Sequence, residues 1–213
     1  MIKISPSILS SDFSALGRDV CQCVAGGAEY LHIDVMDGVF VPNISIGGAV
    51  QKSIRKYKGI VFDTHLMIID PIRYVEDFYK AGSDIITIHL ESCENVGETL
   101  DKIRSFGIKA GLSIKPKTPV DSILPYVGKF DMLLIMSVEP GFGGQAFIES
   151  SLDKIREARK LLPDLDIEVD GGISKNNIKE VVDAGANVIV AGSAVFKGDI
   201  VTSIKELREA AEN

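Results

Sequence analysis

The chain has 213 residues, 46 % hydrophobic and 25 % charged, with 23 Lys and Arg against 30 Asp and Glu for a net charge of −7. Such proportions exclude a disordered chain. Acidity without any basic run argues against nucleic-acid binding, which needs cations to displace phosphate counterions.

The longest apolar runs, such as Met132–Met136, are far shorter than the roughly 20 residues of a membrane span. Met1–Phe13 lacks the basic start and apolar stretch of a secretory leader. Cys21, Cys23 and Cys93 have neither disulfide nor zinc-finger spacing. These features predict a soluble cytoplasmic protein with reduced, packed thiols and no membrane partner.

In chain order, β-rich runs are predicted at Lys3–Leu9, Tyr30–Val35, Ile60–Leu66, Ile85–His89, Ala110–Ile114, Met132–Ser137, Ile167–Val169 and Val188–Ala191. Helical patterns fall between them at Ala15–Ala25, Ile72–Ala81, Val96–Phe106, Leu152–Leu162 and Ile178–Ala184. Several joints repeat: Ala25-Gly26, Ala81-Gly82, Phe106-Gly107 and Ala184-Gly185 each close a helix just before a strand. Glycine suits the left-handed position after a helix because it has no Cβ to clash.

Strand–helix alternation with short joints dictates right-handed βαβ units and a parallel sheet. Eight units of about 27 residues are compact but sufficient for a (β/α)8 barrel. An open doubly wound sheet is the alternative, and it normally carries a Gly-x-Gly-x-x-Gly turn after its first strand. Ser10-Ser11-Asp12-Phe13 stands there instead. The expected fold is a single (β/α)8 TIM barrel over residues 1–213, eight parallel strands inside outer helices.

In such a barrel the active site lies at the C-terminal strand ends. Alternation puts His32, Asp34 and Met36 on one face of the second strand. His65 and Met67 share a face of the third strand, and Glu168 and Asp170 share one of the seventh. His32, Asp34, His65 and Asp170 can therefore converge, and two imidazoles with two carboxylates suit Zn²⁺ and other borderline divalent metals. His89 is either a spare ligand or, as the preferred expectation, a group that orients a ligand through a hydrogen bond. Asp63 and Glu168, one layer deeper, are expected to be buried, hydrogen-bonded supports. Met36, Met67 and Met136 are core filler or an apolar wall beside the metal.

Three glycine turns follow neighbouring strands: Gly141-Phe142-Gly143-Gly144, Gly171-Gly172 and Gly192-Ser193, the last opening a possible short helix. Backbone N–H groups and a helix N-terminus bind phosphate without any basic patch. The expected substrate is a small phosphorylated molecule.

The chain carries in order Pro6-Ser7-Ile8-Leu9-Ser10, His32-Ile33-Asp34-Val35-Met36-Asp37-Gly38, Phe40-Val41-Pro42-Asn43 and His65-Leu66-Met67. These are followed by Met136-Ser137-Val138-Glu139-Pro140-Gly141-Phe142-Gly143-Gly144-Gln145, Glu168-Val169-Asp170-Gly171-Gly172 and Gly192-Ser193. Together these motifs span nearly the whole chain, which through them resembles the ribulose-phosphate 3-epimerase family. The resemblance implies a metal-dependent epimerase of the pentose phosphate pathway. It would interconvert D-ribulose 5-phosphate and D-xylulose 5-phosphate by two-base proton transfer through a cis-enediolate.

The resemblance also implies one divalent metal ion per subunit, Zn²⁺ or Fe²⁺ first and Mn²⁺ or Co²⁺ as alternatives, held by His32, Asp34, His65 and Asp170. Asp34 and Asp170 become the acid–base pair, and Ser7 and His65 substrate contacts. Gly141 to Gly144, Asp170 to Gly172, Gly192 and Ser193 become the substrate and phosphate loops, and the chain a homo-oligomer. Lys115 stands where many members have Asn, though others share the Lys. Rival expectations are a D-allulose-6-phosphate epimerase, a metal-dependent aldolase, a Schiff-base aldolase using Lys115, and a non-catalytic sugar-phosphate-binding barrel.

Overall fold

A computed structural model describes residues 2–213. Eight strands form one sheet: β1 Lys3–Pro6, β2 Tyr30–Met36, β3 Val61–Met67, β4 Ile85–His89, β5 Lys109–Ile114, β6 Met132–Met136, β7 Asp166–Asp170 and β8 Val188–Ala191. Every neighbouring pair is parallel, in the order β1-β8-β7-β6-β5-β4-β3-β2. An isolated parallel bridge from Ser7 to His32 joins β1 to β2 and closes the ring. The fold is the expected (β/α)8 barrel.

The helices are α1 Leu16–Ala25, α2 Gly48–Ile54, α3 Val75–Lys80, α4 Val96–Ser105, α5 Ser151–Leu161, α6 Ile178–Ala184, α7 Ser193–Phe196 and α8 Ile200–Glu212. Their apolar faces cover the outside of the sheet. In α4, Val96, Leu100 and Ile103 recur one turn apart and are buried. They belong to one core with outward residues of the strands such as Ile33, Val35, Leu66, Ile88, Leu112 and Val169. Inside the barrel, a floor of Tyr30, Ile85, Met132 and Val188 lies beneath the polar residues.

Several local expectations change. The first strand ends at Pro6 rather than Leu9, because Ser7 Oγ accepts the Leu9 N–H and turns the chain into a 3-10 segment at Ile8–Ser10. The seventh strand runs a residue further at each end, since Asp166 and Asp170 pair with Met132 and Met136. Gly26 keeps a helical backbone, its N–H bonded to Gln22 O, so the left-handed residue is Gly27 with φ 83°. Between β5 and β6 a 3-10 segment, Val120–Tyr126, replaces an α-helix, and Pro125 inside it withholds a backbone donor. The three cysteines are free, but Cys21 is exposed rather than packed. Among the described residues no helix is long and apolar enough to cross a membrane.

Candidate active site

Parallel register sets the polar side chains of β2 and β3 beside one another at the C-terminal mouth. His32 is opposite Asp63, Asp34 opposite His65, and Met36 opposite Met67, while Met136 on β6 is opposite Asp170 on β7. One ligand atom each from His32, Asp34, His65 and Asp170 lies within 4.8 Å of all the others. His32 Nε2 is 3.2 Å from His65 Nδ1, 3.4 Å from Asp34 Oδ1 and 3.8 Å from Asp170 Oδ2. His65 Nδ1 is 3.3 Å from Asp34 Oδ1 and 3.9 Å from Asp170 Oδ2. Neighbouring ligands of a tetrahedral ion with bonds of about 2.0–2.1 Å stand roughly 3.3 Å apart. The donors therefore fit one small divalent cation in both chemistry and spacing.

The electrostatics point the same way. Burial would depress the His32 imidazole, but the charges of Asp34, Glu168 and Asp63 raise it well above the ordinary value. Burial would raise Asp34, but His32 and His65 hold it well below the usual carboxylate range. Burial and the Asp34 charge push Asp170 up to about 6. Among the described residues no Lys or Arg makes an ion pair with these carboxylates.

The supports beneath differ from expectation in one respect. His32 Nδ1 is 2.8 Å from Asp63 Oδ2, a good hydrogen bond. Glu168 is buried, but among the described residues neither of its oxygens has a hydrogen-bond partner, and Oε1 stops 3.4 Å from His32 Nδ1. Burial and the Asp63 charge raise its carboxyl well above the usual range. A neutral acid tolerates that position where a carboxylate would not.

Above the cluster lies a cavity of about 580 Å³ counted to its open mouth. Ser7, Asp34 and Asp170 line it, as do Met36, Met67 and Met136 and all three glycine turns, Gly141 to Gly144, Gly171-Gly172 and Gly192-Ser193. Asp170 has 17 % of its side chain exposed, against 4 % for Asp34 and none for His32 and His65, so the carboxylate of the seventh strand is the most open of the four to the cavity. Ser7 Oγ donates to Asp34 Oδ2 at 2.5 Å and fixes that carboxylate. Phe142 stands 55 % exposed on the rim. Lys115 lies elsewhere, its ammonium 3.8 Å from the Phe40 ring centroid and its side chain outside the cavity lining, so the structure gives no support to a Schiff-base lysine there.

Sequence reasoning missed Asn43, Ser10, Ser45 and Gln145. Asn43 Nδ2 donates to Gly141 O at 2.7 Å and ties the loop after β2 to the loop after β6. Ser10 lines the cavity. Ser45 Oγ donates to Asp34 O at 2.6 Å and accepts the Met36 N–H, bracing the end of β2. Gln145 Nε2 donates to Glu139 O and Phe142 O and braces the longest glycine turn. Ser10, Asn43 and Gln145 sit within or beside the recognisable motifs, whereas Ser45 carries no sequence signal.

A sequence profile of the ribulose-phosphate 3-epimerase family matches residues 3–196. The chain belongs to this family. Ribulose-phosphate 3-epimerase of Escherichia coli is 50 % identical over 213 residues, covering 96 % of this chain and 94 % of that protein. The protein of the same name in Bacillus subtilis is 47 % identical over 214 residues, covering 98 % and 99 %. A solved 3-keto-L-gulonate-6-phosphate decarboxylase from Vibrio cholerae superposes with a TM-score of 0.77 at 12 % identity, covering 100 % of this chain and 98 % of that one, a likeness of fold alone. As a ribulose-phosphate 3-epimerase family member, the chain is an epimerase of the sugar-phosphate class.

Gly172 supplies a direct test of whether this turn holds substrate. Its φ is +69°, and an added Cβ would fall 2.8 Å from Phe147 Cα and 2.9 Å from Gln145 O. A left-handed non-glycine costs about 1–3 kcal/mol before any clash. Gly172→Ala is expected to lower Tm by several degrees, given about 2–4 °C per kcal/mol for a chain of this size. It should also raise KM roughly tenfold, equivalent to about 1.4 kcal/mol of lost substrate binding. Steady-state kinetics and a thermal melt measure both; an unaltered KM contradicts a cradle at this turn.

Proposed function

We propose that His32, Asp34, His65 and Asp170 hold one divalent cation and that Asp34 and Asp170 carry the proton between the two faces of the substrate's C3. The observation that carries this reading is the convergence of those four side chains beneath a cavity walled by three glycine turns. A divalent cation bound there would supply Lewis-acid stabilisation of the negative charge that develops on the sugar oxygens. Zn²⁺ or Fe²⁺ suits the donor set best, and Mn²⁺ or Co²⁺ can replace them.

The protein's own groups do the rest. Epimerisation removes a proton from one face of a carbon and returns one to the other. Asp34 and Asp170 come from β2 and β7, strands separated in the ring by β1 and β8. Their acidities are displaced in opposite directions, so one carboxyl is ionised while the other can carry a proton. Ser7 holds Asp34 in place by its hydroxyl hydrogen bond. The N–H groups of Gly141 to Gly144, Gly171-Gly172 and Gly192-Ser193 bind the phosphate, with Phe142 at the rim. Met36, Met67 and Met136 wall the reacting carbon from water.

This reading makes residues 1–213 one catalytic unit acting on a pentulose 5-phosphate within the pentose phosphate pathway, as a cytoplasmic homo-oligomer. Three free thiols fit a reducing compartment. The test is proton NMR of D-ribulose 5-phosphate with the protein in deuterated water, with and without chelator. Deuterium should enter C3 as D-xylulose 5-phosphate appears, and only in the metal-replete sample. Conversion with retention of the C3 hydrogen refutes proton transfer to solvent-exchanging carboxyls.

A further inference from the structure

Behind His65 lies a chain of hydrogen bonds that the proton-transfer reading does not use. His65 Nδ1 faces His32, Asp34 and Asp170. Its other nitrogen, Nε2, lies 2.8 Å from His89 Nε2 on β4. His89 Nδ1 lies 3.3 Å from Glu91 Oε2. Glu91 Oε1 accepts the Lys115 backbone N–H at 2.7 Å and the Thr118 hydroxyl, both in the loop after β5. His89 is wholly buried, its ring against His65 on one side and Phe40 on the other, with centroids 4.9 Å away in each case.

We propose that His89 and Glu91 are positioning residues, forming a relay that fixes the tautomer and ring orientation of His65 from the loop after β5. The proposal rests on the reading of His65 as a metal ligand through Nδ1. A ring nitrogen that holds a cation carries no proton, so the His65 proton sits on Nε2. His89 Nε2 must then accept, which places the His89 proton on Nδ1, pointing at Glu91. Glu91 is an acceptor at both oxygens, held there by a backbone amide that cannot reverse. Every proton in the chain has one permitted place. The reversed order would put a proton on His65 Nδ1, where the cation belongs, and set a bare His89 Nδ1 against a carboxylate.

Two measurements decide it. The first uses metal-free wild-type protein labelled with ¹⁵N-histidine. Long-range proton–nitrogen correlation is expected to show His65 protonated at Nε2 and His89 protonated at Nδ1. A proton on His89 Nε2 overturns the relay, because the Glu91 carboxylate holds the His89 proton on Nδ1 whether or not a cation is bound, and this result is read separately from the metal reading. The second uses Glu91→Gln, which keeps the size of the side chain but replaces one acceptor oxygen with a donor. The amide must face either His89, reversing its tautomer, or the Lys115 N–H, breaking the anchor. Zinc affinity, measured by competition with a chromophoric chelator, is expected to fall about 10–100-fold. Affinity within twofold of wild type, with or without a lower Tm, makes Glu91 merely structural and overturns the proposal.

Discussion

Asp170→Asn, saturated with metal, is expected to lower kcat by about 10²–10⁴-fold while moving KM little, the size of effect general acid–base groups supply. The substitution keeps the shape of the side chain and one of its oxygens, so the cavity and the glycine turns still bind substrate. What it removes is a carboxyl that can exchange a proton at the most exposed of the four positions. The two-carboxyl arrangement makes a sharper demand. With one acid removed, the other can still take the proton from one epimer and return deuterium to the same face. Asp170→Asn is therefore expected to exchange solvent deuterium into one pentulose phosphate without converting it, and Asp34→Asn into the other. Near-normal turnover in metal-replete Asp170→Asn, or exchange into both epimers by a single variant, is incompatible with the assigned roles.

Removal of the cation is expected to abolish turnover and to lower Tm, with both restored by a divalent metal. A ligand present at a hundredfold its Kd stabilises the native state by about 2.7 kcal/mol. For a chain of this length that corresponds to about 5–10 °C. The difference should depend on pH. Asp170 and His32 have folded acidities displaced upward, so in the metal-free protein their favourable contribution is complete at low pH and is lost as pH rises, for Asp170 from about 4 through about 6. Cation binding needs both groups deprotonated and grows over the same range. Burial lowers His89 to about 4, which gives the opposite slope, and that contribution largely cancels when loaded and metal-free protein are compared at each pH. The gap in Tm between the two is thus expected to widen from pH 5 to pH 7. A constant gap, or none, contradicts a cation at these four residues.

The strength of such a site comes from its frame. Asp34 is held by Ser7 through its side chain and by Ser45 through its backbone, His32 by Asp63, and the two longest mouth loops by Asn43. Catalytic constellations must be held to within about half an ångström, and these neighbours do that work.

Much of this protein was legible from its residues alone. Eight β-rich runs with helical patterns between them specify a parallel barrel, because chain chirality leaves few other closures. Period-two alternation puts His32, Asp34 and Met36 on one face of one strand, so the polar positions that do not suit a packed core can be read without coordinates. What the sequence could not supply was every relation between strands. The Ser7–His32 bridge that closes the ring, the opposition of Asp34 to His65, and the approach of His89 to His65 all depend on register across separate segments. The absence of partners for Glu168 among the described residues and the 3-10 segment after β5 were hidden for the same reason. Local pattern records which face a side chain takes, whereas the distance to a group dozens of residues away is settled only when the sheet twists shut.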